Sequence, residues 1–355
     1  MTHDIRTLRA ALTMLGDAGN DRIGADIAEH GLQAACEKWM SGDGPRNFSA
    51  RFAKALTQVE FQFAELSRIG GRFLIPGDIE WPEQLNDLEF GAPLGLWVRG
   101  NGNLRELSHR MLAIVGARAA TSYGERIASE LAAQAAGSQI VTISGAAYGI
   151  DAAAHRGSLA GGGATVAVLA CGIDVAYPAA HAGLLDRIAQ DGVVVSEAAL
   201  TASPHKRHFL VRNRLIACLS SSTVVVEAAL RSGSLSTGNW AAAMGRDVWG
   251  VPGPITSATS AGVHVAMKAG TMQVLSSFDD VVKKYPSKSQ PSLGFIEDLV
   301  LQCLSRGSTN VECIARELAP HCSAADVQAV LTLLEITGQA RNSLHGWELI
   351  KHHAT

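Results

Sequence analysis

No two of this chain's six cysteines stand at CxxC spacing, which leaves a zinc ribbon without its ligands. A disulfide framework is equally unexpected, because 47% of the 355 residues are apolar and can build a core. Cys36, Cys171, Cys218, Cys303, Cys313 and Cys322 are therefore expected to be small, mostly buried hydrophobes. Charge is scarce at 18%, and the formal net charge is −3. The low charge excludes a disordered chain. The negative sign removes any global basic signal for nucleic acid, so that function must rest on local charge. Long apolar runs are missing too: nothing approaches the ~18 residues that span a bilayer. The opening MTHDIRTLRAALTML carries Asp4 and lacks a secretory apolar region and cleavage site. The expectation is a soluble cytoplasmic protein of two or three domains with no metal and no cofactor.

Residues 1–68 read as a small helical domain, with Leu8, Leu12 and Leu15, then Phe52, Leu56, Val59 and Phe63, at helical spacing. Gly42-Asp-Gly-Pro45 breaks that pattern. A strand is expected near Leu94–Gly100. From residue 111 short apolar runs alternate with helical stretches: Met111–Val115, Ile140–Ile143, Thr165–Leu169, Val193–Val195, Thr223–Val226 and Val248–Val251. The first five recur at the roughly 25–30-residue spacing of βαβ units. Runs apolar on both faces suit a parallel sheet covered by helices. The predicted core, 69–283, is thus an α/β, Rossmann-like, doubly wound, mainly parallel sheet. A Ser/Pro/Lys-rich linker spans 284–292. Residues 293–355 suggest three helices and a hairpin, a winged-helix-like unit. That unit holds seven acidic side chains against four basic ones, the reverse of what a DNA grip needs. A protein-contact or regulatory role is expected for it.

Ligands of open α/β sheets bind beyond the carboxyl ends of the strands. Unusual residues follow nearly every predicted strand here: Gly116-Ala-Arg118, Ser144-Gly145 with Tyr148-Gly149-Ile-Asp151, Tyr177-Pro178, Ser196-Glu197, and Glu227 with Ser232-Gly233-Ser234. Gly116, Gly145, Gly149 and Gly233 are placed to let the backbone approach a phosphate; alternatively, each permits a tight turn. Arg118 stands where a dinucleotide fingerprint has its second glycine, so it is suited to grip a phosphate directly, the alternative being a surface ion pair. Asp151 and His155 share one helical face. They read either as a base with its orienting acid, Ser144 or Ser196 supplying a nucleophile, or as a pair that rigidifies the rim.

The strongest local charge is His205-Lys206-Arg207-His208-Phe209-Leu-Val-Arg212-Asn213-Arg214, with four formal positive charges and no acid. Cations neutralise phosphates and an aromatic ring stacks on a base. Phe209 is the first such ring and Tyr148 a second; the alternative is that Phe209 anchors the core. One of Arg212 and Arg214 could instead pair with Glu227 or Glu197.

Seven segments resemble, in order, the DNA-processing protein A (DprA/Smf) family: VGARAATSYG (115–124), SGAAYGIDAAAH (144–155), LACGIDVAYP (169–178), SEAA (196–199), FLVRNRLIACLS (209–220), VVVEAALRSGSLST (224–237) and GRDVWGVPG (245–253). The likeness runs from about Phe73 to about Leu275. It implies a Rossmann-like core that binds single-stranded DNA without sequence preference. It also implies a homodimer that helps load the RecA recombinase during natural transformation. The family's pocket arginine falls on Arg118, and its Lys-x-x-Phe pair on Lys206 and Phe209. Two positions depart from the family: Leu210 and Gly238 stand where it has proline and alanine. The expected DNA site thus holds Gly116, Arg118, Ser144, Gly145, Tyr148, Lys206, Phe209, Arg212, Asn213, Arg214, Gly233 and Ser234. The expected activity is binding rather than catalysis. A nucleotide-binding or nucleotide-hydrolysing Rossmann enzyme is the alternative, although no PGGxGTxxE element is present.

Overall fold

The computed structural model describes residues 3–44, 47–285, 293–305, 307, 309–318, 323–343 and 346–350. It divides into two compact units, Met1–Tyr285 and Pro286–Thr355.

The first unit opens with five helices, α1 (Ile5–Thr13), α2 (Asp21–His30), α3 (Leu32–Lys38), α4 (Phe48–Leu56) and α5 (Val59–Arg68). Asp4 and Asn20 cap the first two through side-chain oxygens, satisfying main-chain donors that helix starts leave open. Strands β1 (Gly71–Leu74) and β2 (Leu96–Arg99) follow, then α6 (Leu104–Ser108). Next come β3 (Met111–Val115), α7 (Ser122–Gly137), β4 (Val141–Ser144), α8 (Ile150–Ala160), β5 (Thr165–Val168), α9 (Ala182–Asp191) and β6 (Val193–Ser196). The alternation ends with α10 (Lys206–Leu219), β7 (Ser222–Val225), α11 (Gly233–Ala243), β8 (Asp247–Gly250), α12 (Ala261–Lys268), β9 (Gln273–Val274) and α13 (Asp279–Val282).

The nine strands form one sheet in the order β1-β2-β6-β5-β4-β3-β7-β8-β9. Strands β3 to β9 pair in parallel, and β1–β2 and β2–β6 pair antiparallel. Four of the parallel strands, β3, β5, β6 and β7, are buried at every residue, as a sheet covered on both faces requires. The chain runs outward from β3 through β4 and β5 to β6. It returns along α10 and resumes beside β3 at β7. The order therefore reverses between β3 and β7, a topological switch point.

Residues 1–68 fall in the same compact unit as the sheet. Their apolar stripes share one core with the β1–β2 edge: Leu8, Leu12, Phe52 and Leu66 cluster with Phe73, Trp97 and Val194. Phe63, Phe73 and Trp97 form an aromatic triangle with centroids 4.7–6.1 Å apart. Trp97 Nε1 donates to Thr13 Oγ1 at 3.1 Å, and Arg9 donates to the Leu94 carbonyl at 2.8 Å. The 284–292 linker also begins later than expected. Tyr285 is buried in the first unit and donates its hydroxyl to the Met111 carbonyl at 2.7 Å. The rest of that segment, 286–292, lies outside the described residues, as do Pro45 and Cys322. Cys36, Cys171, Cys218 and Cys303 are buried, whereas Cys313 is exposed.

The second unit consists of α14 (Leu293–Ser305), α15 (Val311–Glu317), α16 (Ala324–Ile336) and an antiparallel hairpin, β10 (Ala340–Ser343) with β11 (Gly346–Leu349). Val300, Ile314, Val327, Val330, Leu331, Leu334 and Trp347 make its core. Among the described residues, no helix is long and apolar enough to cross a membrane.

Candidate nucleic-acid interface

A groove of about 930 Å³ opens at the switch point. The loop after β3 supplies Gly116 to Ala119, α10 supplies Lys206, Phe209, Leu210, Arg212 and Asn213, and the segment after β7 supplies Ala229 and Arg231 to Ser234. Helix starts at α8, α10 and α11 stand around it, and helix N-termini favour anions. α10 begins with Lys206-Arg207 and has no acid in its first turn. Cations at a helix start oppose the helix dipole, and a local conflict of this kind marks a functional site. Ser232 caps α11, accepting from Ser234 N, and its hydroxyl lies 2.7 Å from that of Ser234.

The guanidinium of Arg118 lies over the ring of Phe209, 4.6 Å from its centroid, a cation–π contact. The ring of Tyr177 stands 5.5 Å from that of Phe209, tilted by 49°. Arg118, Lys206 and Arg231 are exposed and make no ion pair among the described residues. The one acid among the described lining residues is Asp151, which is buried. The groove is therefore basic although the chain as a whole is acidic.

Eight of the twelve expected residues line the groove: Gly116, Arg118, Lys206, Phe209, Arg212, Asn213, Gly233 and Ser234. Their parts differ. Arg212 is buried beneath it and donates to the carbonyls of Gly145 and Val168. Burial draws its pKa down to about 10, partly offset by Asp151, so it stays charged at neutral pH. Burial raises the Asp151 pKa, and the charge of Arg212 opposes that. Asn213 donates to the Gly233 carbonyl at 3.0 Å and so ties α10 to the start of α11.

The other four, Arg214, Ser144, Tyr148 and Gly145, are not among the groove-lining residues. Arg214 grips Glu197 with both terminal nitrogens at 2.5 and 2.7 Å and also donates to the Gly91 carbonyl. It is the structural member of the Arg-Asn-Arg element. Ser144 is buried and donates to the Ile114 carbonyl at 2.7 Å. Tyr148 packs edge-on against His181 and is not among the groove-lining residues, whereas Tyr177 is. At Gly145 a β-carbon would run into the Arg212 guanidinium, so this glycine admits a side chain rather than a phosphate.

The same physics decides Gly149. Its φ is +71°, and a β-carbon would strike the carbonyls of Ala117 and Arg118. It lets the turn before α8 pack beneath the arginine loop. Gly116 faces Ile150 and the Glu227 carbonyl in the same way. Gly233 is the exposed one, and a β-carbon there would meet nothing nearer than Leu210, 3.9 Å away. Arg231 and Tyr177 were missed as site residues, although both stood in the quoted segments. Nothing local separates a groove residue from a surface one.

His155 packs against β5. It is fully buried, and Thr165 Oγ1, which donates to the Thr142 carbonyl, lies 2.8 Å from its Nδ1. Burial and nearby positive charge push its pKa down to about 3. Ser196, like Ser144, is buried and directs its hydroxyl at a main-chain carbonyl.

Fold and groove together define a Rossmann-like α/β protein with a basic, aromatic-bearing groove at its switch point. The sequence profile described as DNA recombination-mediator protein A matches residues 72–286, and the chain belongs to that family. It is 40% identical over 309 residues to a putative DNA processing protein DprA of Mycobacterium tuberculosis, covering 81% of this chain and 79% of that one. DprA of Streptococcus pneumoniae is 40% identical over 199 residues, 56% of this chain and 69% of the other. The X-ray structure of that DNA processing protein A superposes with a TM-score of 0.67 at 32% identity, covering 80% of this chain and 98% of the other. DNA processing protein A from Helicobacter pylori, described for its single-stranded DNA binding mode, superposes at 0.55 with 26% identity, covering 61% and 96%.

Proposed function

We propose that the groove binds single-stranded DNA without sequence preference, and that the protein acts by binding rather than catalysis. The observation that carries this reading is Arg118 held over Phe209 with Lys206 in the same groove. Cations there neutralise phosphates and rings stack on bases, and neither contact reads a base edge. The Helicobacter pylori relative named for single-stranded DNA binding supports it. As in the family it resembles, the protein works as a cytoplasmic homodimer that assists RecA loading on incoming DNA.

The test is equilibrium binding to matched single- and double-stranded oligonucleotides across salt. Single strands are expected to bind more tightly, with affinity falling as salt rises. Lys206→Ala or Arg118→Ala should reduce the salt slope by about one unit each. Equal affinity for blunt duplex at every salt concentration would sink the reading.

The second unit is proposed to be a winged-helix-like module that contacts protein. The exposed residues of α16 include Ala325, Gln328, Ala329, Thr332, Leu333, Glu335 and Ile336, without a cation. A protein ending at residue 285 is expected to bind single strands within about threefold of the full chain, since the missing unit brings no net phosphate-neutralising charge. A folded truncation that loses most of its affinity would make the unit a DNA reader.

A further inference from the structure

We infer that Tyr177 is a base-stacking residue of the groove, and that Phe209 chiefly holds Arg118 in place. This rests on the single-strand reading above. Tyr177 belongs to the loop after β5 and lines the groove together with the cations and hydroxyls of Arg231 to Ser236. Its side chain is anchored by its ring contact with Phe209. It is nevertheless 39% exposed, more than the half-buried Phe209. One face of Phe209 is already covered by the Arg118 guanidinium and one flank by Tyr177. The larger open aromatic surface in the groove therefore belongs to Tyr177.

The hydroxyl group sharpens the point. Packed tyrosines in this protein direct theirs at main-chain carbonyls: Tyr123 to Pro252 at 2.8 Å and Tyr285 to Met111 at 2.7 Å. Tyr177 makes no such hydrogen bond among the described residues. A ring held against Phe209 and still partly exposed in the groove is preorganised for stacking, since little side-chain freedom remains to be lost. The groove residues then divide the strand between them. Bases turn toward Tyr177, and phosphates toward Arg118, Lys206 and the start of α11.

The experiment compares wild type, Tyr177→Phe, Tyr177→Leu and Tyr177→Ala on an oligothymidine and on an abasic sugar-phosphate strand of equal length. Tyr177→Ala and Tyr177→Leu should weaken oligothymidine binding by on the order of tenfold, the loss of one stacked base. Tyr177→Phe should stay within about twofold, because the stacking face is kept. None should change abasic-strand affinity appreciably. The leucine variant keeps bulk beside Phe209, so packing loss is separated from stacking loss. Photocrosslinking of wild type to a strand carrying 5-iododeoxyuridine should label the peptide holding Tyr177, whatever the variants' stability. Wild-type affinity in Tyr177→Leu, or equal losses on both strands, would overturn the inference. Loss of strand preference in wild type itself would instead strike the single-strand reading.

Discussion

Arg214→Ala should destabilise the protein by about 3–5 kcal/mol, the consequence of leaving one member of a buried ion pair alone. Arg214 and Glu197 are 3% and 9% exposed at their side chains, and two nitrogens meet two oxygens. Truncating the arginine strands the carboxylate and also frees the Gly91 carbonyl. Denaturant midpoints, with unchanged slope, measure the loss. The pair joins the end of β6 to α10, the helix that carries Lys206 and Phe209 to the groove, so DNA affinity should fall as a second effect. Arg214→Met combined with Glu197→Leu should recover much of the stability, because well-packed apolar residues replace buried pairs without stranding a charge. If Arg214→Ala keeps wild-type stability and loses only DNA affinity, Arg214 is a phosphate contact and the structural assignment is wrong.

Much of this separation can be reached by a helical argument. Residues two apart on a helix do not share a face, whereas those three or four apart do. With 206–219 helical, Lys206 and Phe209 share a face, and Arg212 and Arg214 diverge. The structure sends Arg212 under the groove and Arg214 to Glu197. The sequence left open which of the two arginines pairs with an acid and with which one. The central strands were legible because a sheet covered on both faces needs continuous apolar runs. The edge was legible only in part: the strand expected near Leu94–Gly100 is β2, but Gly71–Leu74 is short, and the antiparallel pairing of β1 with β2 and of β2 with β6 joins segments distant in sequence. Helical periodicity showed that residues 1–68 carry apolar stripes, but not that Phe73 and Trp97 lie beneath them. The glycines of the rim posed a similar problem. A glycine that admits a phosphate and one that admits an arginine side chain look alike until the neighbour is known, and at Gly145 the neighbour is Arg212. Nor could spacing choose between Tyr148 and Tyr177 as the groove's second ring.

Phe209→Ala should weaken single-strand binding by about 1–3 kcal/mol, as much as losing one stacked base, because Phe209 seats both Arg118 and the stacking ring of Tyr177. Three contacts disappear together. Arg118 loses the ring beneath its guanidinium, Tyr177 loses its anchor, and the groove loses apolar surface for a base. The salt slope should change by less than about one unit, because the phosphate-neutralising charges all remain. Arg118→Ala should then matter less in the Phe209→Ala background than in wild type, since contacting residues act non-additively. The half-buried ring lies in a groove, so the melting temperature should fall only slightly. A thermal melt run beside the salt titration decides between site and core. A large fall in melting temperature with proportionate loss of binding would return Phe209 to the core. Full additivity with Arg118→Ala would show that the contact between them does nothing for DNA.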